Sequence, residues 1–154
     1  MKEYIEISPI WFAKYQNLFF TKYTPQGYYL VSSCGDIVNS RTQNVLKASR
    51  DRKGKGGSGQ TYPYVKLRCT DGKIHRFKVH RLVAAAFCPN SYNKRIVHHI
   101  DCEDRERSNN CADNLLWVRQ SEHDELKKLW QEDRRAYYQR VSEIQAENAE
   151  VRKD

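Results

Sequence analysis

Two runs that alternate apolar with polar residues, Tyr62 to Arg68 (YPYVKLR) and Ile74 to Val79 (IHRFKV), flank the dipeptide Asp71-Gly72. A period of two sends successive side chains to opposite faces of a strand, and Asp-Gly favours the tight turn that joins antiparallel neighbours. This stretch is therefore constrained to a β-hairpin. One face packs; the other is basic, and Lys66, Arg68, Arg76 and Lys78 project from it. A two-stranded ribbon of that kind can enter a DNA groove or lie along its backbone.

Other segments are legible around it. YYLVS (28–32) and DIV (36–38) are short, β-branched and aromatic, with Gly35 between them to turn the chain, which predicts a second hairpin. Arg50 to Gln60 (RDRKGKGGSGQ) has no apolar residue and reads as a basic loop that can follow phosphates, or as an idle linker. HRLVAAAF (80–87) is a short helix stopped by Pro89, RIVHH (95–99) and LLWV (115–118) are strands, and the polar stretch 100–113 between them is a loop. Ser121, followed by Asp124 and Glu125, predicts the N-cap of a long helix. On it Trp130, Tyr137, Ile144 and Val151 recur every seven residues, with Val141 and Asn148 between, a seam that suits either a homodimeric coiled coil or packing on the same chain. The expected class is α+β: a basic β-rich region over 1–79, a strand-loop-strand-helix module over 80–125 and a helix over 126–154.

Charge matters more by position than in sum. The chain is +8 overall, yet from Arg119 onward eight Lys/Arg meet nine Asp/Glu, so residues 1–118 carry +9. Arg41 to Arg81 alone holds twelve basic residues against Asp51 and Asp71, interleaved with Tyr62, Tyr64 and Phe77. That is the footprint expected of a polyanion binder, with double-stranded DNA the partner that the ribbon's shape suits; a merely well-solvated surface is the other reading of the charge. Candidate contacts are Arg41, Lys53, Lys55, Lys66, Arg68, Arg76, Lys78 and Arg105. No apolar run approaches the roughly 20 residues that span a bilayer, and the start MKEYIEISPIW lacks the order of a signal peptide, so a cytoplasmic protein with no membrane partner is expected. The five cysteines are scattered and never spaced C-x-x-C, which favours reduced thiols over a disulfide framework or zinc ribbon.

Hydrolysing a phosphodiester takes a base to activate water, positive charge to neutralise the departing oxygen, and groups that hold both against the backbone. His98-His99 at the end of a strand can divide these tasks, because adjacent strand side chains face opposite ways. Asn114 lies fifteen residues after His99, and His123 nine residues after Asn114.

That spacing, with HRLVAAAF, IVHHID, NN and NLLWV over residues 80–123, resembles the catalytic module of HNH homing endonucleases from phage introns. GYYLVSSCGDIVNS (27–40) is similar to the small DNA-contacting motif that often precedes it. The resemblance implies a ββα-metal fold with one divalent ion. By position it makes His98 and His123 metal ligands, His99 the general base, and Asn114 the residue that ties the loop and orients that base. It implies DNA nicking or cutting, in a bacterial host cell if the chain is phage-encoded, with Arg95, Arg105 or Arg107 as candidate phosphate holders. Where the phage enzymes commonly have Asp or Asn before the base and Asn on the helix, this chain has His98 and His123. Imidazole shifts the expected ion from Mg toward Mn, Ni or Zn. The position of a second helix histidine in some toxin nucleases is Lys127. His80 matches the module's histidine before the short helix and is read as structural. No helix-turn-helix pattern of the kind that often follows the module is seen, which implies modest site selectivity.

Three other readings stay open on residues alone: a DNA-binding protein whose catalysis has decayed, a structural zinc site recruiting Cys102 and Cys111, and a protein-interaction element built on the C-terminal helix.

Overall fold

A computed structural model describes residues 2–15, 18, 21–50, 62–103 and 108–150. Candidate residues Lys53, Lys55, Arg105, Arg107 and Val151 lie outside them. The described chain forms three antiparallel sheets and four α-helices, with a short 3-10 turn at Ala112–Asn114. β1 (Tyr4–Glu6), β2 (Tyr29–Ser32), β3 (Ile37–Asn39) and β4 (Asn44–Leu46) make one sheet in chain order, with α1 (Pro9–Tyr15) inserted between the first two. The β2–β3 hairpin is the one expected from 28–38, and Gly35 sits in its turn at φ +90°, a left-handed conformation that favours glycine. β1, α1 and β4 were not foreseen. Their strands are three residues long, and β1 is fixed by the distant pairing Tyr4↔Ser32 rather than by a local pattern.

β5 (Tyr64–Arg68) and β6 (Ile74–Lys78) form the predicted hairpin. Val65, Leu67 and Phe77 are buried while Lys66, Arg68, Arg76 and Lys78 are exposed. Tyr29 Oη accepts from the Arg68 backbone N–H at 2.9 Å and so locks this ribbon to the first sheet. α2 (Val79–Phe87) follows directly and buries His80, Leu82, Val83 and Ala84. Its alanines allow close approach, and Trp117 satisfies its indole N–H on the Ala84 carbonyl at 3.1 Å.

The third sheet pairs β7 (Ile96–His99) with β8 (Leu115–Val118) in the register His98↔Leu116 and His99↔Leu115. Every residue of β8 is buried because both faces of this hairpin are covered. Val97, Leu115 and Trp117 belong to a core that gathers residues from Ile7 onward, including Phe12, Val31, Leu67, Phe77 and Leu82. Leu116 and Val118 belong to a second core with Leu126, Trp130, Tyr137, Val141 and Ile144. At about 1.5–3 kcal/mol for each fully buried large side chain, these two cores are the main favourable term holding the hairpin between them. The first core runs without a break across residues 79 and 80.

The long C-terminal helix predicted from Ser121 is two helices, α3 (Gln120–Glu132) and α4 (Arg134–Asn148). Asp133 between them is extended (φ −156°, ψ 96°), and its carboxylate accepts from the Ala136 N–H at 3.1 Å, so a residue that caps better than it propagates helix sets the break. Ser121 is not the first cap either: Arg119 holds that position, and its N–H donates to Glu122 Oε1 at 2.8 Å. α4 folds back so that Trp130 and Tyr137 meet edge to face at 5.0 Å, and Tyr137, Val141 and Ile144 pack within the chain. Of the two readings of the seven-residue seam, the structure shows packing on the chain's own core, and nothing supports the alternative homodimer. Among the described residues, no helix is long and apolar enough to cross a membrane.

Candidate active site

The β7–β8 hairpin and α3 bring His98 and His123 together. Their ring centroids are 5.6 Å apart at an interplanar angle of 76°. With metal–nitrogen bonds of about 2.0–2.1 Å and each ring centre about 1.2 Å further back, two imidazoles on one ion can have centroids up to about 6.5 Å apart. The observed separation lies within that reach, so the spacing of the two rings is compatible with a shared divalent ion. Among the described residues no group of three or more His, Cys, Asp or Glu forms a metal cluster. The structural zinc reading therefore finds no support: Cys111 turns to the Cys34 carbonyl at 3.8 Å, whereas Cys102 lies beside His98 at 3.8 Å from Nε2.

His98 is buried and its Nε2 lies 2.7 Å from Tyr137 Oη. Burial pushes the Tyr137 phenol well above its ordinary range, so it stays protonated. The start of α3 is held by an ion network. Lys94, buried just before β7, places Nζ 3.1 Å from Glu122 Oε1 and 2.9 Å from Glu147 Oε1. Glu122 adjoins His123, so this network fixes the turn of α3 from which His123 projects.

His99 points the other way. It is 3% exposed, with the His80 ring at 5.3 Å and the Tyr62 ring at 5.9 Å. Its Nε2 lies 2.8 Å from Asn110 Oδ1; an amide oxygen only accepts, so Nε2 carries the hydrogen and Nδ1 keeps the lone pair. Asn114, expected to tie the loop and orient the base, spans the loop: Oδ1 accepts from the Asp101 N–H and Nδ2 donates to the Asn109 carbonyl, both at 2.9 Å. The amide that meets the His99 ring is that of Asn110, not Asn114. The NN at 109–110 was visible in the sequence, but only the fold separates the loop tie from the imidazole's partner.

The N-terminal sheet reaches this loop. Ala112 N–H donates to the Ser33 carbonyl at 2.8 Å, and Arg50 Nη2 donates to Ser108 Oγ at 2.9 Å. A Cβ on Gly35 would stand 3.3 Å from Asn110 Cβ. The β5–β6 ribbon also touches the site, because Lys78 Nζ sits 5.4 Å above the Tyr62 ring that flanks His99. Lys66 and Arg76 face each other directly across the ribbon, a like-charge pairing that costs stability unless an anion meets it. Arg41 stacks on Tyr28 at 4.4 Å, and Arg95 is exposed at the entry to β7.

Comparison with known proteins agrees with this geometry. The chain is 36% identical over 97 residues to an uncharacterized HNH endonuclease of Acanthamoeba polyphaga mimivirus, covering 62% of this chain and 22% of that protein. It is 32% identical over 102 residues to the DNA endonuclease I-HmuI of Bacillus phage SP01, covering 62% of this chain and 48% of the relative. In the solved structure of DNA binding and cleavage by the HNH homing endonuclease I-HmuI, the likeness covers 94% of this chain and 68% of that one, at a TM-score of 0.55 and 26% identity. Its relatives are HNH endonucleases. The α+β arrangement with antiparallel sheets matches the fold of that HNH homing endonuclease, as the resemblance implied. The matches span about half or less of the length of these curated relatives, and no family model matches.

Proposed function

We propose that the chain is a divalent-metal-dependent endonuclease that hydrolyses DNA phosphodiesters, nicking or cutting duplex DNA in the manner of a homing endonuclease. The observation that carries the reading is the division of labour on β7: His98 lies beside His123 on one side, while His99 on the other is held through Nε2 by Asn110, which leaves the ring's lone pair on Nδ1. When bound, the ion would neutralise charge building on the departing oxygen, with water and phosphate completing its coordination. Two imidazole ligands favour Mn, Ni or Zn over Mg.

His99 takes a proton from the attacking water at Nδ1, and the Asn110 amide holds the ring in that tautomer. Asn114 keeps the loop closed so that Asn110 stays in register with β7. Because the ring is 3% exposed beneath Tyr62, a phosphate reaches it through one intervening water or after Tyr62 turns aside. Lys66, Arg68, Arg76 and Lys78 bind the DNA backbone, with Arg41 from the first sheet and Lys53, Lys55 and Arg105 as further contacts. Region 1–79 in this account holds the duplex, 80–125 cuts it, and 126–154 packs the metal side. The phage relative favours action in the cytoplasm of a host cell.

Supercoiled plasmid incubated with the protein and Mn²⁺, Mg²⁺, Ni²⁺ or Zn²⁺ tests the reading. Relaxed or linear product that vanishes with chelator is expected; intact plasmid with every ion, together with salt-sensitive DNA binding, would leave a DNA-binding protein without catalysis.

A further inference from the structure

We propose that Tyr137 on α4 sets the tautomer of His98, so that His98 presents Nδ1, and not Nε2, to the cation. Tyr137 Oη donates to the Ile100 carbonyl at 2.6 Å and also lies 2.7 Å from His98 Nε2. A phenol has one hydrogen and a carbonyl only accepts, so that hydrogen is spent on Ile100. The hydrogen of the second contact must then come from the imidazole. His98 carries it on Nε2, and the lone pair of the neutral ring is on Nδ1.

The surroundings hold this assignment in place. Tyr137 has no exposed surface, so bulk water does not compete for its hydroxyl. Cys102 Sγ lies 3.4 Å from Tyr137 Oη and 3.8 Å from His98 Nε2, and is also within reach of the His99 and Ile100 carbonyls at 3.8 and 3.7 Å, so the thiol hydrogen has carbonyl acceptors besides the imidazole. Tyr137 packs against Trp130 of α3 and sits in the second core, so the hydroxyl is positioned by the same packing that seats α3 and His123. α4, which lies beyond the strand-loop-strand-helix module, thereby contributes a positioning residue to the metal side of the site. The cation half of this inference rests on the function proposed above; the tautomer half does not.

The test uses the full chain with ¹⁵N-labelled histidine, at a pH where the rings are neutral. A long-range ¹H–¹⁵N correlation spectrum should show His98 protonated on Nε2, and added Zn²⁺ should shift the Nδ1 resonance. Tyr137→Phe keeps the ring but loses the acceptor; it should populate both His98 tautomers and weaken Zn²⁺ binding by about 10–100-fold, the usual effect of removing a partner behind a metal ligand. His98 protonated on Nδ1 in the native chain, a Zn²⁺ shift at Nε2, no Zn²⁺ response at His98, or a Tyr137→Phe chain with unchanged tautomer and affinity would each overturn the inference. Should that variant fail to fold, the native spectrum decides alone. An Nε2-protonated His98 responding to Zn²⁺ in a chain that never nicks plasmid would sink the nuclease reading and keep this one; efficient nicking with the opposite tautomer would do the reverse.

Discussion

His98 and His99 are adjacent on β7, yet one lies in the aromatic core of α3 and α4 beside Tyr137 and His123, and the other lies against α2 with His80, Tyr62 and Asn110. Strand alternation separates them, and two cores, one on each face of a hairpin, give them different surroundings. Both rings contact a fixed oxygen through Nε2, but the partners come from opposite ends of the chain's architecture: a loop pinned by the N-terminal sheet for His99, a C-terminal helix for His98. Two neighbouring side chains of one type can thus take two tasks because each is supported by a separate body of packing.

The largest effect expected from breaking this symmetry is at the base. His99→Ala should lower DNA cleavage by about 10²–10⁴-fold while leaving DNA affinity nearly unchanged, because the proton is taken in the transition state and not in docking. Gel-shift and single-turnover cleavage measured on the same preparation check it; equal loss of both would reassign His99 to docking.

On the other face, Lys94→Met removes the buried cation between Glu122 and Glu147. A loss of about 3 kcal/mol is expected, the low end for breaking a buried ion pair, because Arg119 and Arg140 still stand 3.6 and 3.8 Å from Glu122. Chemical denaturation measures it, and a change below about 1 kcal/mol would mean that Lys94 behaves like a surface charge.

Gly35→Ala should cost about 1–2 kcal/mol, since φ +90° disfavours a side chain and the new Cβ would press on Asn110. Cleavage should fall with stability in this variant, while metal affinity at His98 and His123 stays near native; a metal-affinity loss matching the cleavage loss would join the two faces that the structure separates.

The smallest effect is one of pH. Hydrogen bonds from Lys94 and Arg119 hold the Glu147 carboxyl below its ordinary range. A carboxylate lowered by folding adds stability that is complete above its unfolded pKa and is lost as pH falls through the lowered folded value. Glu147→Gln should therefore flatten the acid limb of a denaturation profile by no more than about 1 kcal/mol, its part-exposed side chain being screened by solvent. An unchanged limb would remove Glu147 from the network.

How much of this was readable beforehand follows from range. The β5–β6 ribbon and the β2–β3 turn rest on alternation and on Gly72 and Gly35, which are local signals, and both form where expected. β7 and α3, which carry His98, His99 and His123, and β8, which Asn114 immediately precedes, were likewise legible from short apolar runs and spacing. Asn110 and Tyr137 were not, because their roles depend on which loop or helix returns to the histidines, and no periodicity encodes that. The heptad pattern of Trp130, Tyr137 and Ile144 was legible but its partner was not: the same apolar stripe serves a second chain or its own, and Asp133, as a cap, decides for its own by breaking the helix.

Calorimetric titration of Mn²⁺ or Zn²⁺ into the native chain and into His98→Ala, His123→Ala and His99→Ala reaches the central claim most directly. Separate duties for the two faces of β7 predict that the first two variants lose the ion while His99→Ala binds it with near-native affinity. Binding that survives loss of His98 and His123, or that disappears with His99, would contradict the account.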